Sequence, residues 1–363
     1  MNKNSLRILI EITHPAHVHF FRNAIRILQE RGHTIAVTAR QKDVTLELLE
    51  SYRIPFTVLS RIGHSKYALV SEMIARDLKL WNFCRRFKPD IMTGIAGTFA
   101  APVGRLIRTP VIVFYDTENA TMSNAIAFPC AQAVVTPSCY KKTIKGNHIT
   151  YQGYHELAYL HPNYFSPDPS ILKLLGVKED EKFVIMRLVS WGAAHDVGHN
   201  GISLMNIQDA VRQFSQYAKV FITSERMLPD DLNKYRITIP PDKMHDALYY
   251  ATMFYGESAT MASECAVCGT AAIYLDNVGR GYTDEQEDVY GSVFNFTESS
   301  QDQERSIGKG VELLRTDGLK EIWKEKSRKI LNDKIDVTAF IVNLLENYLE
   351  VTRNVRNSRN NTL

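Results

Sequence analysis

Phe254-Tyr255-Gly256-Glu257-Ser258-Ala259-Thr260-Met261-Ala262-Ser263-Glu264 is the stretch from which the fold is read. An apolar run stops at Gly256, a helix opens near Ser258, and Gly269-Thr270 then leads into a second apolar run, Ala271 to Leu275. Strand, helix and strand in turn are the unit of a parallel sheet. Ser258 is a good N-cap, and the backbone N–H groups after it, those of Ala259 and Thr260, combine with the helix dipole into an anion site. Gly256 is expected to let a ligand come close to the main chain. Glu264 lies about 9 Å further along the axis, at 1.5 Å per residue, so a diphosphate at the helix start leaves the carboxylate placed for ribose hydroxyls. The plainer alternative is an ordinary capped helix with Glu264 in solvent.

The alternation extends outward over the chain. Before the quoted stretch come Lys182 to Val189, a helix from about Ile202 to Gln216, Lys219 to Thr223, Ile237 to Ile239 and a helix from Asp242. After it come Val293 to Phe296 and helices to about Leu349. The first half has the same rhythm: Leu6 to Ile12, a helix from about His17 to Arg31, Thr34 to Thr38, Pro55 to Leu59, a helix from about Tyr67 to Phe87, Asp90 to Thr93, a helix near Phe99 to Ile107, and Val111 to Tyr115. Between about Tyr151 and Lys182 the pattern breaks into turn residues and prolines, which reads as a linker or domain edge. The expected architecture is α/β, two Rossmann-like doubly wound domains facing a central cleft. The expected parts are a first domain at residues 1–165, a second at 166–332, a C-terminal helix at 333–350 packing back on the first domain, and a frayed tail at 351–363.

Length and composition agree: 363 residues favour two domains, and 45% hydrophobic with 23% charged residues is ordinary globular usage. A net charge of +3 lacks the clustered basic stripe of a nucleic-acid binder. The N-terminal apolar run is strand-length rather than a signal sequence, and no stretch reaches the roughly 18 apolar residues of a membrane span. A cytoplasmic protein is expected. The pattern from Lys66 to Lys88, with Leu69, Met73, Leu80, Trp81 and Phe83 beside Arg76, Lys79, Arg85 and Arg86, fits either a sheet-covering helix or a basic helix touching the membrane surface. Five cysteines are an odd number, which suits reduced thiols; Cys265 and Cys268 lack a second ligand pair, so no zinc is expected, and no cofactor.

Chemistry-bearing residues gather where strands end. The loop after the first strand, Thr13 to His19, has no Gly-rich turn, which argues against dinucleotide binding. It carries His14, His17 and His19, and His17 is the first candidate base for a hydroxyl proton. Asp116 and Glu118 follow Val111 to Tyr115 and can orient a histidine or act as acid and base. In the second half, Arg187 stands near the end of Lys182 to Val189, and Ser190 and His195 follow it; Arg187 can fork onto phosphate.

The pattern Gly256-x-Ser258-x-Thr260-x-x-x-Glu264, then Gly269-Thr270-x-Ala272, resembles the donor motif of GT-B glycosyltransferases. It is similar in particular to that of the lipid-linked N-acetylglucosaminyltransferase of peptidoglycan synthesis and of UDP-N-acetylglucosamine 2-epimerases. The resemblance implies ribose on Glu264, diphosphate on Ser258, Ala259 and Thr260, and a small-residue turn at Gly269 and Thr270. His17-Val18 matches the transferase's first loop, while Pro15, Ala16 and Phe20 depart from it. The epimerases keep a catalytic Glu where Glu118 stands. The whole chain, from Ile8 to Phe21 and through Gly153 to Pro162, also resembles the domain of unknown function family 354. The implied function is metal-independent transfer of a sugar from a nucleotide diphosphate sugar, a UDP-sugar, to a saccharide or lipid-linked acceptor in cell-envelope polysaccharide synthesis. The alternatives are a 2-epimerase using Glu118, Asp116 and His195, and a non-catalytic nucleotide-sugar binder.

Overall fold

The structure, a computed structural model, describes residues 5–61, 66–189 and 201–348. The chain divides into two compact units, residues 1–159 with 335–363, and residues 160–334.

The first unit holds seven strands: β1 (Arg7–Ile12), β2 (Thr34–Gln41), β3 (Thr57–Arg61), β4 (Ile91–Ile95), β5 (Val111–Phe114), β6 (Ala133–Pro137) and β7 (His148–Tyr151). They pair in the order β3-β2-β1-β4-β5-β6-β7, every pair parallel. β1, β4, β5 and β6 are buried almost throughout, the signature of strands covered on both faces. Of the covering helices, Pro15–Glu30 and Val337–Glu346 pack together, so the C-terminal helix belongs to this unit. The helix Lys66–Phe87 does not present Arg76 as part of a basic face: Arg76 is fully buried, with Nη2 3.0 Å from Glu11 Oε1. The segment read as a linker is mostly core at its start, where Tyr154, Leu157, Ala158 and Tyr159 are buried. It is tied down at the Ala158 carbonyl, which accepts from Asn23 Nδ2 at 2.9 Å and Thr338 Oγ1 at 2.6 Å.

The second unit holds β8 (Phe183–Leu188), β9 (Lys219–Ser224), β10 (Met253–Gly256), β11 (Ala271–Leu275) and β12 (Val293–Phe296), in the order β12-β11-β10-β8-β9, again parallel. The strand expected at Ile237 to Ile239 is reduced to one bridge between Ile222 and Arg236. Pro240 and Pro241 follow at once and have no N–H to carry a ladder further. With that bridge counted, the order is the Rossmann one of a doubly wound sheet. Among the described residues no helix is long and apolar enough to cross a membrane, and no disulfide joins any of the five cysteines.

Candidate functional site

In the second unit the carboxyl end of β10 feeds the helix Ala259–Cys268. Ser258 caps it: its Oγ accepts the Met261 N–H at 3.3 Å and its carbonyl the Ala262 N–H at 3.0 Å. The first-turn amides of Ala259 and Thr260 have no intrahelical acceptor, so the helix start can take an anion. Gly256 is a position of close approach: a Cβ there would stand 2.2 Å from the Arg187 carbonyl oxygen, so the neighbouring strand β8 by itself requires the glycine.

Arg187 stands at the carboxyl end of β8 with its guanidinium already engaged. Nη1 donates to Thr223 Oγ1 at 2.9 Å and Nη2 pairs with Glu225. A phosphate arriving here competes with Glu225 for the fork. Ser190 and His195 lie outside the described residues. Main-chain N–H groups before and after them, those of Val189 and Ile202, are held by Glu257, which the sequence reading passed over. Its buried carboxylate accepts the main-chain N–H groups of Val189 and Ile202, both at 2.6 Å, and pairs with Arg226 at 2.9 Å.

Glu264 is buried and not solvated, and its Oε1 lies 2.9 Å from Nε2 of His245, on the helix Met244–Tyr250. The contact fixes the carboxylate's position, and a diol binding there has to share or displace the imidazole. Thr270 is a correction. It sits at the amino end of β11, beyond a helix of 10 residues that spans about 15 Å, so it cannot share the site at Ser258. Its buried hydroxyl donates to the Leu248 carbonyl at 2.8 Å and receives Lys320 Nζ at 2.6 Å. Burial pushes that lysine down to about 8. Cys265 and Cys268 are buried nearby with their thiols pushed up by desolvation, and among the described residues no cluster of metal ligands forms.

In the first unit the three histidines after β1 separate into different roles. His14 is the N-cap of the helix Pro15–Glu30, its Nδ1 accepting the Ala16 N–H at 3.2 Å. His19 packs against the rings of Tyr52 and Tyr159. His17 is buried, with Nδ1 3.3 Å from both the main-chain N–H and the hydroxyl of Thr13. A ring nitrogen that accepts from main-chain N–H leaves the proton on Nε2, so neutral His17 presents a donor rather than the lone pair of a base. Burial, then the positive fields of His14 and His155, hold its pKa well below the ordinary value, with Asp116 opposing.

Asp116 does orient a histidine, but one the sequence reading left in the linker. Its Oδ2 is 3.0 Å from Nδ1 of His155, and Thr117 Oγ1 donates to its Oδ1 at 3.0 Å. Because β5, β6 and β7 are neighbours in the sheet, the segments after β5 and β7 meet. The His155 ring is fixed by Phe20, 4.4 Å between centroids, and lies parallel to Tyr151 at 6.5 Å. Its Nε2 is buried without a hydrogen-bond partner among the described residues. Asp116 at Nδ1 directs the lone pair to Nε2, the arrangement of a general base. Glu118 is buried nearby, its Oε1 accepting the Lys141 main-chain N–H at 3.3 Å.

With this geometry in place, the comparisons with known proteins fall into one pattern. The family described as Protein of unknown function (DUF354) matches residues 6–280. An uncharacterized protein of Methanocaldococcus jannaschii is 23% identical over 280 residues, covering 74% of this chain and 81% of its own. Among solved structures, the UDP-GlcNAc 2-epimerase of Neisseria meningitidis bound to UDP-GlcNAc is similar with a TM-score of 0.69 at 13% identity, covering 94% of this chain and 99% of that one. MurG of Acinetobacter baumannii is similar with a TM-score of 0.56 at 15% identity, covering 93% and 99%. The shared architecture is the GT-B fold.

Proposed function

We propose, from the premise that this chain belongs to the DUF354 family and has the GT-B fold, that it is a glycosyltransferase using a nucleotide diphosphate sugar, a UDP-sugar. The observation that carries the reading is the helix Ala259–Cys268, which offers an anion-binding start at Ser258 and a buried carboxylate, Glu264, at the spacing of a diphosphate from its ribose. The diphosphate takes the Ala259 and Thr260 N–H groups and draws the Arg187 fork from Glu225; the ribose diol takes Glu264. These donors hold more strongly as charge grows on the departing phosphate oxygen, which is where they lower the barrier.

The first unit supplies the base. His155 Nε2 takes the proton of an acceptor hydroxyl, Asp116 stabilises the imidazolium, and the freed oxygen attacks the anomeric carbon as its bond to the phosphate oxygen breaks. His17 Nε2–H donates to an oxygen of the bound sugar or acceptor.

A 2-epimerase is separable by experiment. In deuterated water with UDP-N-acetylglucosamine and no acceptor, the transferase reading predicts slow UDP release to solvent with no deuterium at C2 of the sugar. Deuterium at C2 overturns it and turns attention to Glu118, the carboxylate beside the dyad. Peripheral contact with a membrane bearing the acceptor is compatible with this function and is an outcome of the vesicle experiment below.

A further inference from the structure

The first unit carries a cavity of about 740 Å³ that the proposed mechanism does not use. Its origin is topological. The crossover from β6 to β7, residues 138–147, contains no helix, whereas such a connection ordinarily brings one to cover the sheet. The face of β6 is left open between this loop and the helix Thr121–Ala127. The floor is apolar, made by Phe128, Val134 and Ile144 with the ring of Tyr140. The rim is basic: Lys142 and Lys145 line it, and no Asp or Glu does among the described residues.

Two further observations point to a ligand rather than an unfilled gap. Asn124 lines the cavity with its side chain beside the buried Tyr115 hydroxyl. One such contact leaves the amide, which has two N–H donors and an acceptor oxygen, with capacity for a sugar hydroxyl. The cavity also adjoins the dyad. Tyr140 packs edge-on to Tyr115 with centroids 6.1 Å apart, and Tyr115 precedes Asp116; the Lys141 N–H meets Glu118. Burial and the negative field of Glu118 push the Tyr140 hydroxyl up to about 12, so it stays a neutral donor.

We infer that this cavity is the acceptor subsite, taking a sugar phosphate whose hydroxyls reach Asn124, whose ring lies on the Tyr140 and Phe128 floor, and whose phosphate is held by Lys142 and Lys145. Only the word acceptor rests on the transferase reading; the anionic sugar itself follows from the charge and polar groups of the cavity. The volume falls within the roughly 300–1,000 Å³ of ordinary ligand sites.

The test titrates the full chain, saturated with UDP, with N-acetylglucosamine 1-phosphate, with N-acetylglucosamine and with inorganic phosphate. The sugar phosphate is expected to bind at least about tenfold more tightly than either part alone. Lys142→Ala/Lys145→Ala, at exposed positions, is expected to lose that advantage, and Asn124→Ala to weaken the sugar part alone. Glu264→Ala weakens the binding of UDP itself, so a failed donor site is read from the UDP titration and a failed acceptor site from the sugar-phosphate titration, and the two give different results. Flotation with phosphatidylcholine vesicles with and without phosphatidylinositol separates a lipid-borne sugar phosphate from a free one; lysine-dependent binding in either arm supports the assignment. Binding of inorganic phosphate as tight as that of the sugar phosphate, affinity unaffected by the lysine pair, or no binding in any arm overturns it.

Discussion

His155→Ala is expected to slow sugar transfer by about 10²–10⁴-fold, the usual contribution of a positioned base, while the affinity for the nucleotide sugar stays as it was. The two effects separate because the base stands in the first unit and Glu264 in the second. Asp116→Asn tests the pairing itself. An amide at that position can donate its own N–H toward Nδ1, which places the ring proton on Nε2 and removes the lone pair. The variant should therefore lose turnover nearly as far as His155→Ala, and the double variant should lose little more, since the two residues act as a unit. His17→Ala should slow turnover less than either, because the Thr13 N–H already occupies its accepting nitrogen. A larger loss at His17 than at His155 contradicts the assignment of the base. Single-turnover rates measured beside equilibrium binding separate the two terms.

The largest effect on stability is expected at Arg76→Ala. Arg76 is buried completely, with its guanidinium 4.3 Å above the Phe99 ring centroid and Nη2 on Glu11 Oε1. The other oxygen of Glu11 accepts the Ala100 N–H at 3.0 Å, the first turn of the helix Ala100–Ile107. Three elements, β1 and the helices Lys66–Phe87 and Ala100–Ile107, thus meet at one ion pair. Removing the cation leaves a buried carboxylate without compensation, which costs about 3–5 kcal/mol. Asp77, already raised to about 6 by desolvation first and the Glu11 charge second, loses the opposing field of Arg76 and rises further. Glu11→Gln/Arg76→Ala removes both charges and should lose less than Arg76→Ala alone. Hydrogen exchange of the first unit's amides reads both variants; equal protection in Arg76→Ala and wild type contradicts the argument.

The sheets were legible in the sequence because parallel strands buried on both faces appear as continuous apolar runs, and Ala271–Leu275 and Val293–Phe296 are strands over those very residues. The capped helix after Gly256 was legible for a local reason, Ser258 followed by a helical stretch. What escaped depends on distance through the fold. His155 lies in Gly153-Tyr154-His155-Glu156, a run of turn-like residues, and only the β5-β6-β7 order brings it to Asp116. Arg76 had the spacing of an exposed basic face, and nothing local to that helix announces Glu11 on β1 as its partner. Thr270 was grouped with Ser258 because the motif is contiguous, whereas a parallel sheet places the two ends of a crossover helix at opposite edges. Gly256 was legible as a position of close approach, while its neighbour there, the Arg187 main chain on β8, is set by the sheet order. Glu257 escaped because the amides it accepts from, those of Val189 and Ile202, lie 68 and 55 residues away in sequence.

Calorimetric titration of UDP-N-acetylglucosamine into the wild-type chain and into Glu264→Ala bears most directly on the nucleotide-sugar assignment. The carboxylate's hydrogen bonds to a diol are charge-assisted, each contributing about 1.5–3 kcal/mol, so the variant is expected to bind about tenfold to a hundredfold more weakly, and Glu264→Gln, which keeps an acceptor for His245 Nε2, separates that loss from the destabilisation caused by leaving the buried imidazole unpaired. Equal affinity in the two proteins would contradict the placement of the ribose on Glu264 and, with it, the donor site on the Ala259–Cys268 helix.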